Sequence, residues 1–204
     1  MEAENTRFVL IRHAQTKWNV LKLMQGREDS PLTRKGKDEA RVWGKALKSQ
    51  AIDRIVASPL NRAVETALLI NETLGLPLSQ ETGFMEQSWG RWEGMTLEEI
   101  KAESPVILES MVSRGWDFKP PGGESRLQVL ARCTQAMQSI HEKWPGQTIL
   151  IVAHTGVIKC ITYHILGRAF LPSEPACLMR NRAHIVRFGE GGLEMEALNA
   201  ISPG

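Results

Sequence analysis

Three short apolar runs in this chain each lead into residues that can handle an oxyanion. Phe8-Val9-Leu10-Ile11 leads into Arg12-His13, the run 52–57 into Ser58-Pro59-Leu60-Asn61-Arg62, and the run 148–153 into His154-Thr155-Gly156. An imidazole can act as nucleophile or proton carrier near neutral pH. A guanidinium can donate two parallel bonds to phosphate oxygens. Brought together, two histidines and two arginines would make a phosphate site. Taken singly, each residue also has a plainer reading. A histidine after a strand can be a loop residue, Arg12 an ion-pair partner and Arg62 a solvated helix residue. Spacing alone leaves both readings open.

Positioning them requires a parallel sheet. The three runs are apolar enough to be covered on both faces, as buried parallel strands are. Helical patterns separate them. Thr33 is placed to cap a helix carrying Ala40, Trp43 and Leu47 at spacings of three and four. Ser58-Pro59 reads as an N-cap followed by the first helical residue, with Leu74-Gly75 closing that helix. Further helices are expected over 127–143 and 157–166. A hairpin is expected from 183–188 and 193–198, turning at Gly189-Glu190-Gly191-Gly192. The expected fold class is α/β, a mostly parallel central sheet with helices on both faces. Residues 1–204 read as one domain, with about 83–123 an insertion or lid beside the sheet. In such a sheet all carboxyl ends lie on one edge, where ligands bind. Arg62 would then sit in the first turn of its helix, where the dipole favours an anion.

Composition sets the outer bounds. The 204 residues are 42% hydrophobic and 24% charged, with 25 Lys and Arg against 23 Asp and Glu. A net charge of +2 argues against nucleic-acid or anionic-membrane binding driven by bulk charge, so neither partner is expected. No apolar run reaches the length of a membrane span, and the N-terminal run is too short for a secretory signal. Cys133, Cys160 and Cys177 lack metal-ligand spacing and read as reduced thiols of a cytoplasmic protein. His141, His164 and His184 fall inside helix or strand patterns and are assigned to surface or core. The chain reads as either a monomer or a homodimer, with the hairpin edge a place for pairing.

The residues from Leu10 to Asn19, Leu-Ile-Arg-His-Ala-Gln-Thr-Lys-Trp-Asn, resemble the RHG signature of the histidine phosphatase superfamily, also called phosphoglycerate mutase-like. Further blocks follow in that family's order. They are Asp29-Ser30-Pro31-Leu32-Thr33 with Gly36, the stretch from Ser58 to Ala67, the stretch from Glu86 to Gly94, Pro121-Gly122-Gly123-Glu124-Ser125, and His154-Thr155-Gly156. Two positions depart from the pattern: Ala14 replaces the usual Gly and Trp89 the usual Phe or Tyr. A methyl group at Ala14 is tolerable where φ stays negative.

The resemblance implies a phosphomonoesterase acting on a small phosphorylated metabolite. His13 would form a phosphohistidine, with its other ring nitrogen donating to a backbone carbonyl. Arg12, Arg62, His154, Asn19 and Thr155 would hold the phosphoryl group, with His154 acting best as a cation. Glu86 would give a proton to the leaving alkoxide, its pKa raised by Trp89 and Trp92 nearby. The rival acid Glu93 aligns with a glutamate read as structural. Gln25, Gly26 and Arg27 are candidate substrate contacts, with the segments 108–121 and 167–182. Neither cofactor nor metal is expected. The runner-up in the family is a cofactor-dependent phosphoglycerate mutase, disfavoured by Gln15-Thr16 where mutases typically carry Glu-Ser. Alternatives of other classes are a phosphate-binding module without turnover and a metallohydrolase using His13 and His154.

Overall fold

The computed structural model describes residues 5–103 and 105–203. Residues 1–4, 104 and 204, which the single-domain reading and the 83–123 insertion take in, lie outside the described residues. Six strands, β1 (Thr6–Arg12), β2 (Arg54–Ala57), β3 (Leu78–Gln80), β4 (Thr148–Ala153), β5 (Ala183–Gly189) and β6 (Gly192–Ile201), form one sheet in the order β3-β2-β4-β1-β5-β6. The first four strands run parallel; β5 and β6 are antiparallel. The fold is α/β with a mostly parallel sheet, as the pattern of runs implied.

Alternation along β1 and β4 explains why both faces are covered. Phe8, Leu10, Ile149 and Ile151 face one way, onto α6 (Arg126–Lys143) and α7 (Thr155–Ile165) through Cys133, Met137, Val157 and Ile161. Val9, Ile11, Leu150 and Val152 face the other way, onto α2 (Arg34–Leu47) and α3 (Asn61–Leu74) through Trp43, Leu47, Ala67 and Ile70. Each fully buried side chain of this size contributes roughly 1.5–3 kcal/mol against exposure. Register then fixes the site: Arg12 pairs with Ala153, so the next residues, His13 and His154, leave adjacent strands side by side.

The start of α3 differs from expectation. Ser58 is not its N-cap, and Pro59 is not its first residue; the helix begins at Asn61 after Leu60, without a side-chain cap from its own N-cap residue. Ser58 is drawn away by His154, and the carboxylate of Asp29 takes the cap's place by accepting the Asn61 and Arg62 N–H groups. Thr33 does cap α2, accepting from Gly36 N–H, and Gly75 closes α3 at φ 63°. The second strand begins two residues later than the run 52–57. Asp53 bonds Thr148 through both its backbone N–H and its carboxylate before the ladder starts.

The described residues of 83–123 add no strand to the sheet. Their short helices α4 (Leu97–Glu103) and α5 (Pro105–Val112) gather around a small core of Trp92, Ile100, Leu108 and Phe118. This core reaches the sheet's carboxyl edge through Met24, which bonds Met95 and Gly94, just after α1 (Lys17–Leu21). Among the described residues, no helix is long and apolar enough to cross a membrane.

Candidate active site

His13 hangs from the end of β1 and is buried. Its Nδ1 lies 2.8 Å from the Ala14 carbonyl oxygen. A carbonyl only accepts, so Nδ1 carries the ring proton and Nε2 keeps its lone pair. Burial, then the guanidiniums of Arg12 and Arg62, hold His13 well below the ordinary imidazole value. Ala14 is not among the residues with positive φ, and its methyl group packs with Leu32, Ala40 and Leu69.

His154 stands at the N-cap position of α7 without a side-chain cap bond, its ring centroid 5.2 Å from that of His13. Its Nε2 is 2.7 Å from Ser58 Oγ. Burial and the nearby His13, Arg62 and Arg12 keep it neutral too, well below the ordinary value. The cationic form expected of it therefore needs an anion beside it.

Arg62 is 1% exposed and engaged in a way its position in α3 did not reveal. One terminal nitrogen donates to the Glu28 carbonyl at 2.7 Å and to Asp29 at 3.1 Å, and the other to the Gly26 carbonyl at 2.7 Å. The α3 N-terminus, expected to favour an external anion, is already served by Asp29. Arg12 Nε, Arg62 Nε and His154 Nδ1 remain, with Arg168 Nε, the buried side-chain atoms without a hydrogen-bond partner among the described residues. Each unmade bond of this kind costs about 1–3 kcal/mol. Three of the four sit in one place, around His13. An oxyanion beside His13 would bring acceptors into their neighbourhood.

Two cavities, each of about 490 Å³, share Arg12, His13, Asn19, Thr155, Lys159 and Arg180 in their walls. Asn19 Oδ1 accepts the Thr16 N–H in a capping box, leaving its amide nitrogen as the free end. Thr155 opens α7. Gln25 and Gly26 line the same cavity as Arg62 and Glu86, Gln25 held by Thr16 Oγ1 at 3.1 Å. Arg27 lines neither cavity and pairs with Glu124 at 3.5 Å.

Glu86 reaches the site from outside the sheet. Its oxygens accept the Gln87 N–H at 2.9 Å and the Gly156 N–H at 3.2 Å, the latter at the start of α7. A Cβ at Gly156 would stand 2.4 Å from Glu86 Oε1, so glycine makes this approach possible. Of the two tryptophans expected to dry Glu86, Trp89 lines the same cavity, whereas Trp92 does not; their rings lie 5.5 and 6.5 Å from that of Phe118. Glu93 is consumed by the Arg27 and Trp89 N–H groups and by Ser88 Oγ.

Some contributors carried no separate sequence signal. Arg132, on α6, donates to the Gly83 and Glu86 carbonyls and pairs with Glu124 at 2.8 Å, fixing the backbone that presents Glu86. Lys159 did have a signal, since it stands one helical turn beyond Thr155 on the same face. Among the described residues, no group of three or more His, Cys, Asp or Glu side chains could hold a metal ion. The three cysteines are free thiols.

Comparison with known proteins adds the following. The family model described as histidine phosphatase superfamily (branch 1) matches residues 8–201. A protein of Bacillus subtilis named uncharacterized phosphatase PhoE is 35% identical over 162 residues, 79% of this chain and 78% of its own. A Salmonella choleraesuis protein named probable phosphoglycerate mutase GpmB is 32% identical over 158 residues, 78% of this chain and 74% of its own. The solved structure of Bacillus stearothermophilus YhfR superposes with a TM-score of 0.87 at 32% identity, covering 97% of this chain and 98% of that one.

Proposed function

The chain belongs to the histidine phosphatase superfamily, and from that premise we propose that it hydrolyses a small phosphomonoester through a phosphohistidine on His13. The observation that carries this reading is the His13 ring, neutral, with Nδ1–H committed to Ala14 and Nε2 free among unsatisfied guanidinium and imidazole atoms. Nε2 attacks phosphorus in line, forming N–P as the P–O bond to the alcohol breaks. Arg12, Arg62, Asn19 and Thr155 hold the equatorial oxygens, and His154 gains a proton as the dianion arrives. Glu86, in its protonated form, gives its own carboxyl proton to the leaving oxygen, while His154 keeps the proton it gained. As carboxylate it then takes a proton from the water that attacks phosphorus, and N–P breaks to release phosphate. The positive charge is supplied by side chains, so activity is expected to survive EDTA.

The test is covalent trapping. Brief mixing with ³²P-labelled substrate and a denaturing quench is expected to leave protein-bound label that is acid-labile and alkali-stable, and absent from His13→Ala. Label that persists in this variant would refute His13 as nucleophile. The mutase name of the Salmonella relative favours a second reading. It requires 2,3-bisphosphoglycerate-dependent interconversion of 3- and 2-phosphoglycerate faster than phosphate release; the expected result is the reverse.

A further inference from the structure

In-line transfer places the leaving alcohol on the Glu86 side of His13, because the acid must reach the departing oxygen. The cavity on that side is more cationic than a phosphoryl group requires. Besides Arg12 and Arg62 it is lined by Lys22, Arg126, Lys159 and Arg180, while Glu86 is the one carboxylate in its wall among the described residues. Only Arg62 of these six cations has an ion-pair partner among the described residues.

Two of the additional cations are built in rather than solvated. The Arg126 guanidinium lies between two rings, 4.3 Å from the centre of Phe118 and 4.4 Å from that of Phe170. One of its terminal nitrogens donates to the Gly115 carbonyl at 2.8 Å. Phe170 holds its side of this sandwich from a left-handed backbone, φ 62°, which is costly for a bulky residue and tends to persist where the surroundings over-determine it. Trp116, edge-on at 4.6 Å, and Tyr163, at 4.4 Å, supply that constraint. Lys159 is half-buried on α7, lines both cavities, and its ammonium has neither a hydrogen bond nor an ion pair among the described residues. Burial, with Arg126 adding to it, pulls Lys159 below the usual amine value. Glu86 acts on Lys159 from a distance, but neither cation has an ion-pair contact of its own among the described residues, and two partly desolvated cations kept close together gain when an anion joins them.

We propose that Lys159 and Arg126 form a second anion subsite, and that the substrate is a phosphomonoester whose alcohol carries a further carboxylate or phosphate. This rests on the phosphatase reading of the same cleft. Phe170 and Trp89 line the same cavity and offer rings for the carbons that link the two anions.

Binding to the full chain bearing His13→Ala separates the subsite from turnover. Affinities are measured by calorimetry for 3-phosphoglycerate against glycerol 3-phosphate, and for propane-1,3-diol bisphosphate against its monophosphate. The member with the second anion is expected to bind roughly tenfold to hundredfold tighter in at least one pair, the size of a charged hydrogen bond. The pair showing the preference identifies carboxylate or phosphate. Adding Lys159→Met is expected to bring that ratio towards one, and Lys159→Arg to retain it. A loss of packing alone would weaken both members equally and leave the ratio unchanged. Ratios near one in both pairs, or a ratio that neither Lys159→Met nor Arg126→Met reduces, would overturn the subsite. Failure of the wild-type protein to release phosphate from the preferred ligand would instead overturn the hydrolase reading, with the binding preference still standing.

Discussion

At the scale of single residues, the site is organised around imidazoles kept neutral by their surroundings. His13 and His154 are both held well below 6.5, chiefly by burial. Their ring-proton NMR signals are therefore expected not to titrate between pH 8 and about 6.5; a titration midpoint in that range for His13 would contradict the neutral nucleophile. Orthovanadate, an oxyanion able to sit beside His13, is expected to raise the His154 value by offsetting the neighbouring guanidiniums. No upward movement on saturation would sink the role proposed for His154 as a cation paired with the phosphoryl group. The reactive residues were legible because each stands in a short contiguous block, His13 beside Arg12 and His154 beside Thr155. Their partners were not. Nothing in the local sequence says that Arg62 will turn its terminal nitrogens on the Gly26 and Glu28 carbonyls, or that Ser58 will serve His154 rather than its own helix. Those contacts join positions far apart in the chain, beyond the reach of helical or strand periodicity.

Elements contribute through their ends. The start of α7 receives Glu86 because residue 156 has no side chain. Gly156→Ala is expected to push the flexible carboxylate aside rather than disturb the helix. Stability should change by less than about 1 kcal/mol, since alanine suits a helix better than glycine. The turnover rate should fall by roughly tenfold to a thousandfold, within the range for losing a general acid. Thermal melts and steady-state kinetics on the same preparation check both halves, and unimpaired turnover would remove Glu86 from the mechanism. The start of α3 depends on Asp29, which both caps the helix and faces Arg62. Asp29→Ala is expected to cost about 1–2 kcal/mol in urea unfolding, the loss of a cap. It should also weaken inhibition by phosphate, because Arg62 loses a carboxylate that orients it. Asp29→Asn should recover much of the stability. The boundaries of α2 and α6 were readable from Thr33 and from the apolar spacing after Ser125, whose caps are local. The start of α3 was misread because its cap comes from another part of the chain.

Across the whole molecule, the three apolar runs were sufficient to indicate the parallel centre of the sheet. The short strand β3 and the paired helices α4 and α5 were not legible, since Leu78–Gln80 is too brief for a period and the 83–123 segment packs as a local cluster of Trp, Phe and Met. Burial of imidazoles also sets how the fold responds to acid. His184, whose Nδ1 accepts the Asn199 N–H, is lowered to about 4 by burial, and His13 and His154 are lowered in the same direction. Between these folded values and the unfolded value near 6.5 the unfolded chain binds more protons, so stability is complete above that pH and is lost as pH falls through the window. Urea midpoints are expected to drop from pH 7.5 to 5, each group adding a slope of up to about 1.4 kcal/mol per pH unit. His184→Asn, which offers an oxygen to the same N–H, should flatten the slope; an unchanged slope would remove His184 from the account.

The pairing of β1 with β4 has a consequence for how the molecule fails. His13 and His154 continue a ladder whose residues are the most deeply covered in the sheet. Amide hydrogens there should exchange with solvent only through global opening, whereas the segments around Gly115 and Phe170, which hold Arg126, can open locally. Loss of the His13 to His154 arrangement on heating should therefore coincide with loss of the sheet itself, while selectivity among substrates drifts at lower temperature. The protein would tire in its preferences before it tired in its chemistry.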